Sequence, residues 1–132
     1  SAVRDHVGLC YDVCHQAVEY EETASSIRQL DREGVRIVKV HMSCAIDLAD
    51  PSDEEARQQL ARFVEPRYMH QTFGRHPSRR LLKTLDLTEE LATNPPGDWL
   101  DCDSWRIHFH VPIHREYLGK LKTTRPALIE AV

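Results

Sequence analysis

Several things are scarce in this chain, and each scarcity excludes something. No apolar run approaches the ~20 residues that span a bilayer, and no secretory signal pattern opens the sequence. There are no internal repeats and no low-complexity tract, so solenoid and linker architectures are excluded. Clustered basic charge is also missing. The net charge is −4 with histidines neutral, and Arg75 to Arg80 is the one locally basic segment. Such a balance argues against general affinity for a nucleic-acid backbone, because neutralising phosphates takes many Lys and Arg side chains. The four cysteines, Cys10, Cys14, Cys44 and Cys102, lack the two-residue spacing of zinc ribbons and thioredoxin-type pairs. A domain of 132 residues can bury a core without disulfides. Free thiols and a cytoplasmic location are therefore expected.

What the sequence does contain is an alternation of strand-like and helix-like segments. Val7 to Tyr11 is a continuous apolar run of the kind buried on both faces in a parallel sheet. Thr23 to Glu33 carries Ala24, Ile27 and Leu30 at helical spacing, with Gly34 as a stop. Val35 to His41 is β-branched and strand-like. Ser52 and Glu55 form a capping box ahead of a helix over 53–64. Strand composition at 67–74, a capped helix at 86–92, a period-two strand at 105–111 and a final helix after Thr123-Thr124 complete the order. About four βα units predict an α/β fold with parallel strands and outer helices, that is, a partial TIM barrel in one domain. Residues 66–104 read as an insertion-like region, and 112–122 as a loop.

In such folds, function sits at the C-terminal ends of the strands. Asp12 and His15 fall where the first strand turns, and His41 ends the second. His108 and His110 share one face of the period-two strand with Arg106. Carboxylate and neutral imidazole together suit zinc, manganese or iron better than magnesium or calcium. Asp12, His15, His41, His108 and His110 are thus the candidate metal ligands. His70 and Gln71 are candidate substrate contacts, since concave sites collect such polar groups.

The run Gly8-Leu9-Cys10-Tyr11-Asp12-Val13-Cys14-His15 resembles a metal-ligand strand of the xylose isomerase-like superfamily of TIM barrels. That superfamily includes sugar (phosphate) isomerases, epimerases and a zinc-cluster apurinic endonuclease. Val40-His41-Met42-Ser43 and His108-Phe109-His110-Val111-Pro112-Ile113 are similar to two further ligand segments of it. Tyr68 to Thr72 and Trp105 to Pro112 most resemble the metabolite traffic protein EboE group, bacterial barrel proteins tied to secondary-metabolite processing or export. The resemblance implies that residues 1–132 form the later part of a barrel, with further ligands on glutamates outside them. The isomerases' glycine-rich substrate segment is replaced here by Ile113-His114-Arg115-Glu116, so their substrate contacts do not carry over.

The expected function is a divalent-metal protein acting on a small metabolite, in isomerase or epimerase fashion. The alternatives are a non-catalytic metabolite-binding or traffic protein and, disfavoured by charge, a phosphodiester hydrolase. A small molecule is the expected partner, with no nucleic acid and no membrane. A second copy of the chain or the remainder of a barrel is the expected protein partner.

Overall fold

The computed structural model describes residues 1–132. Strand β1 (Leu9–Asp12) and strand β2 (Ile37–His41) pair in parallel, with Asp12 opposite His41. Between them lie helices α2 (Val13–Val18) and α3 (Thr23–Arg32), after a short leading helix α1 (Ala2–His6). This βαβ unit is the arrangement the sequence predicts. Gly8 permits the close approach of its two strands, because a Cβ there would overlap the Val38 side chain.

Beyond β2 the barrel expectation fails. Met42 and Ser43 alone separate β2 from the next strand, β3 (Cys44–Leu48). A parallel crossover needs a dozen or more residues, so β3 cannot be the next parallel strand that a barrel requires. It instead forms the middle of a separate six-stranded sheet, whose order is β5-β4-β6-β3-β8-β7. The other members are β4 (Thr72–Arg75), β5 (Leu81–Thr84), β6 (Ser104–Val111), β7 (Tyr117–Leu118) and β8 (Leu121–Thr123). Every pairing in this sheet is antiparallel. The molecule is therefore an α+β fold and not a partial TIM barrel. Helices α4 (Glu54–Ala61), α5 (Glu89–Thr93), α6 (Gly97–Leu100) and α7 (Arg125–Ala131) complete it.

Local chemistry explains the other departures. The strand expected over 67–74 is confined to Thr72–Arg75, because the Glu65 carboxylate accepts from the backbone N–H groups of Arg67 and Tyr68, each at 2.9 Å, and holds a turn there. The basic segment is the turn of the β4–β5 hairpin, with Arg79 at φ 66° and the His76 N–H donating to the Arg80 carbonyl at 3.0 Å. The expected loop over 112–122 contains the β7–β8 hairpin. Gly119 takes the positive φ of its turn, at 63°.

The larger sheet is covered on both sides. Ile46, Leu48, Trp105, Ile107 and Leu121 belong to the main core with Leu60 of α4 and Leu87. On the opposite face Cys14 and Val18 of α2 pack with Ala45 and Phe73. Cys14, Ala17, Val18 and Ala45 are fully buried, and their small size brings the α2 backbone close to β3 and β6. No helix is long and apolar enough to cross a membrane.

Two measurements follow from this packing. Ile46→Ala empties part of the core beneath the central strand and is expected to cost about 2–5 kcal/mol in chemical denaturation. Three thiols, Cys14, Cys44 and Cys102, are buried and pushed up in pKa by that burial, while Cys10 is exposed. The native protein should show one fast-reacting thiol in a titration with an aromatic disulfide, and all of them after unfolding.

Candidate metal centre

Asp12 ends β1 and caps α2. Its Oδ1 accepts from the His15 N–H at 3.3 Å and from the Ser43 hydroxyl at 3.1 Å. The same hydroxyl accepts from the Cys14 N–H at 3.3 Å, which ties the start of α2 to the β2–β3 link. The other carboxylate oxygen, Oδ2, lies 3.2 Å from His41 Nδ1 and 4.0 Å from His110 Nε2. Burial alone would raise the Asp12 pKa. The His15 N–H, His41 and Ser43 outweigh it and hold the carboxyl below its usual range. At neutral pH Asp12 is therefore an anion that is half-committed to its neighbours.

The cap aims α2 so that His15 meets β6. The His15 and His108 rings stack at 4.0 Å between centroids, and His110 meets His108 edge-on at 5.1 Å. Donor atoms of Asp12, His15 and His108 lie within 4.8 Å of one another, as do those of Cys14, His108 and His110. His108 belongs to both groups, and its Nε2 is buried without a hydrogen-bond partner. An orphaned buried imidazole nitrogen is costly unless something binds its lone pair or proton.

Burial first, then the neighbouring His15 and His110, pushes the His108 pKa down to about 4. Its imidazole is neutral at pH 7, which is the form that ligates a metal. Cys14 differs. Its thiol is pushed up strongly by burial, with Asp12 and Cys44 adding to the effect, and it donates to the Phe109 carbonyl at 3.6 Å. Asp12, His15 and His108, with His110 beside them, form the better donor set, and two or three imidazoles with one carboxylate fit a zinc-type ion.

Of the five expected ligands, Asp12, His15 and His108 share one donor group, and His110 belongs with His108 and Cys14 to the other. The fifth, His41, stands outside both donor groups. Its Nδ1 engages Asp12 and its Nε2 faces the Cys10 sulfur at 3.7 Å, so it orients the carboxylate from behind. Arg106 shares the histidine face as expected, but it serves the scaffold. It pairs with Asp47 at 3.3 Å and donates to the Ala17 carbonyl at 2.8 Å, at the end of α2.

His70 and Gln71 separate. His70 is buried, stacks on Phe109 at 3.8 Å and lines a cavity of about 600 Å³ with Tyr68, Met69, His108, Phe109 and His110. Two carboxylates flank it, Glu65 Oε1 3.6 Å from Nε2 and Asp86 Oδ1 3.8 Å from Nδ1. The Gln71 carbonyl accepts from the His108 N–H at 2.9 Å, yet its side chain borders another concavity with Glu19, Phe73 and Lys83. Sequence reasoning passed over Ser43 as a partner of Asp12, along with Tyr68, Met69 and Phe109 as cavity wall. The two-residue spacing of Ser43 from His41 is the signal that could have pointed to it.

The His108 shift has a defined pH consequence in the metal-free protein. An unfolded-state histidine titrates near 6.5, well above the folded value of about 4. The unfolded chain therefore takes up the proton first as pH falls. The contribution of this group to stability is complete above pH ~6.5 and lost as pH falls toward 4. Urea midpoints of His108→Gln should depend less on pH across that window than those of the unaltered protein, and parallel profiles would contradict the assignment. Comparison with protein-family models, curated proteins and solved structures finds no match to the chain.

Proposed function

We propose that the chain binds a divalent transition metal through Asp12, His15 and His108, with His110 at a fourth position, and uses it on a small metabolite. The observation that carries this reading is His108 Nε2, buried without a partner where an anionic carboxylate and a second imidazole converge. Zinc, manganese and iron match this donor chemistry. Such an ion supplies Lewis-acid polarisation of a carbonyl or hydroxyl oxygen.

The chain's own residues divide the remaining work. His41 and Ser43 fix the Asp12 carboxylate through contacts of 3.2 and 3.1 Å. The stacked His15 and His108 rings hold each other's orientation. His70 lines the adjoining cavity outside the donor set, between Glu65 and Asp86, and in this reading it takes and returns a proton of a bound molecule. Proton movement beside a polarised oxygen is the core of isomerase and epimerase chemistry, the class that the motif resemblance at Asp12–His15 and His108–His110 also implies. The cavity volume of about 600 Å³ suits a small metabolite.

Calorimetric titration of the purified, chelator-treated chain with zinc tests the reading. One equivalent should bind. His108→Ala and Asp12→Ala should each weaken binding by at least ~100-fold, and His41→Ala by ~10-fold, as expected for a residue that orients a ligand. Circular dichroism of each variant separates lost ligands from lost fold. A folded chain that takes up neither zinc nor manganese overturns the proposal.

A further inference from the structure

The cavity beside the proposed centre is unusual in what lines it. Of its six lining residues, Tyr68, Met69 and Phe109 are large and apolar or aromatic, and His70, His108 and His110 are imidazoles. None is a lysine or an arginine. Three carboxylates lie close to this wall: Glu65 and Asp86 flank His70, and Asp12 lies 4.0 Å from His110. Sites that hold phosphate, sulfate or a free carboxylate ordinarily supply guanidinium, ammonium or the N–H groups of a helix start.

The apolar wall is itself out of place on a small domain. Tyr68 and Met69 are 67% and 73% exposed, although they stand next to a buried histidine. They protrude because Glu65 accepts from the Arg67 and Tyr68 N–H groups and turns this segment outward. Phe109 is braced from behind by Phe63, at 5.7 Å edge-on, and carries His70 stacked on it. A rigid aromatic floor, two projecting apolar side chains and two imidazoles of the donor set make one continuous surface.

Resting on the metal reading above, we infer that the cavity takes an uncharged molecule with a flat or apolar body, which presents an oxygen pair to the metal at His108 and His110 and lays that body against Tyr68, Met69 and Phe109. Phosphorylated sugars, the substrates that the motif resemblance would suggest, would find no guanidinium or ammonium on the wall beside the metal itself, and Glu65, Asp86 and Asp12 oppose a second anion. Free polyols gain less from three large apolar contacts than a compound with an apolar ring does. An aromatic or alicyclic compound with adjacent carbonyl and hydroxyl oxygens has the required chemistry.

The test uses the intact chain loaded with cobalt(II), whose visible absorption bands report both loading and ligand exchange. Acetohydroxamate and benzohydroxamate offer the metal the same oxygen pair and differ in the apolar body. Benzohydroxamate should bind at least ~10-fold more tightly, beyond the ratio the two show for free cobalt(II), as expected from burying one ring. Inorganic phosphate should not displace it. Met69→Ser and Tyr68→Ser alter exposed side chains outside the donor set. Each should cut the preference to about threefold or less, with the cobalt bands before addition unchanged. Equal binding of the two hydroxamates to the cobalt protein, or tighter binding of phosphate, overturns the inference and leaves the metal reading standing. Failure of the cobalt bands to develop before any probe is added overturns the metal reading, and the inference falls with it.

Discussion

The site depends on one contact above all, the seating of α2 on β3 and β6. Cys14, Ala17 and Val18 are fully buried there, against Ala45 and Phe73. Six residues make a helix too short to persist alone, so packing and its two ends must hold it. At the start, Asp12 accepts from the His15 N–H, and Ser43 accepts from that of Cys14. At the end, Arg106 donates to the Ala17 carbonyl and lies 4.4 Å over the Tyr20 ring, while the Tyr20 hydroxyl donates to the Ser104 carbonyl at 2.8 Å. A cation at a helix C-terminus complements its dipole. If α2 shifts, His15 leaves His108 and the donor set comes apart.

The same seating explains why a half-buried carboxylate is tolerated beneath the helix. Asp47 lies on the α2 face of the central strand, and burial raises its pKa against the opposing pull of Arg106. Both members of the pair are half-shielded, and Arg75 also lies over the Tyr20 ring, at 4.9 Å. Removing Arg106 would leave the Asp47 carboxylate without its donor and take from the Ala17 carbonyl one of two, the other being the Tyr20 N–H at 3.1 Å, so its role in the fold is larger than one ion pair on an exposed surface would have.

Much of the site was legible in the sequence, and the fold was legible only in part. Side chains two apart on a strand face the same way whatever the neighbouring strands do, so His108, His110 and Arg106 were grouped correctly from period two alone. Asp12 and His15 were likewise local, a helix cap and the residue it caps. The strand partners were not local. Cys44-Ala45-Ile46-Asp47-Leu48 has small residues and a carboxylate where a strand usually shows β-branched bulk, and it follows β2 after two residues, so no strand is expected there from the sequence. Those small residues are what the close approach of α2 requires. Once β3 was missed, the βα alternation extended itself into a barrel that β3, paired antiparallel on both sides, rules out. His41 was grouped with the ligands because it ends a strand level with Asp12; in the structure its Nδ1 contacts that carboxylate and it belongs to neither donor group.

Asp12 belongs to the parallel pair, His15 to the helix between its strands, and His108 to the antiparallel sheet. These two sheets share no hydrogen-bonded strand. An ion held by all three side chains would therefore act as a rivet through the whole architecture, joining the two ends of the chain across the gap between its sheets. Loading and folding would then be one equilibrium, because an ion that binds only the folded arrangement of the three side chains stabilises that arrangement.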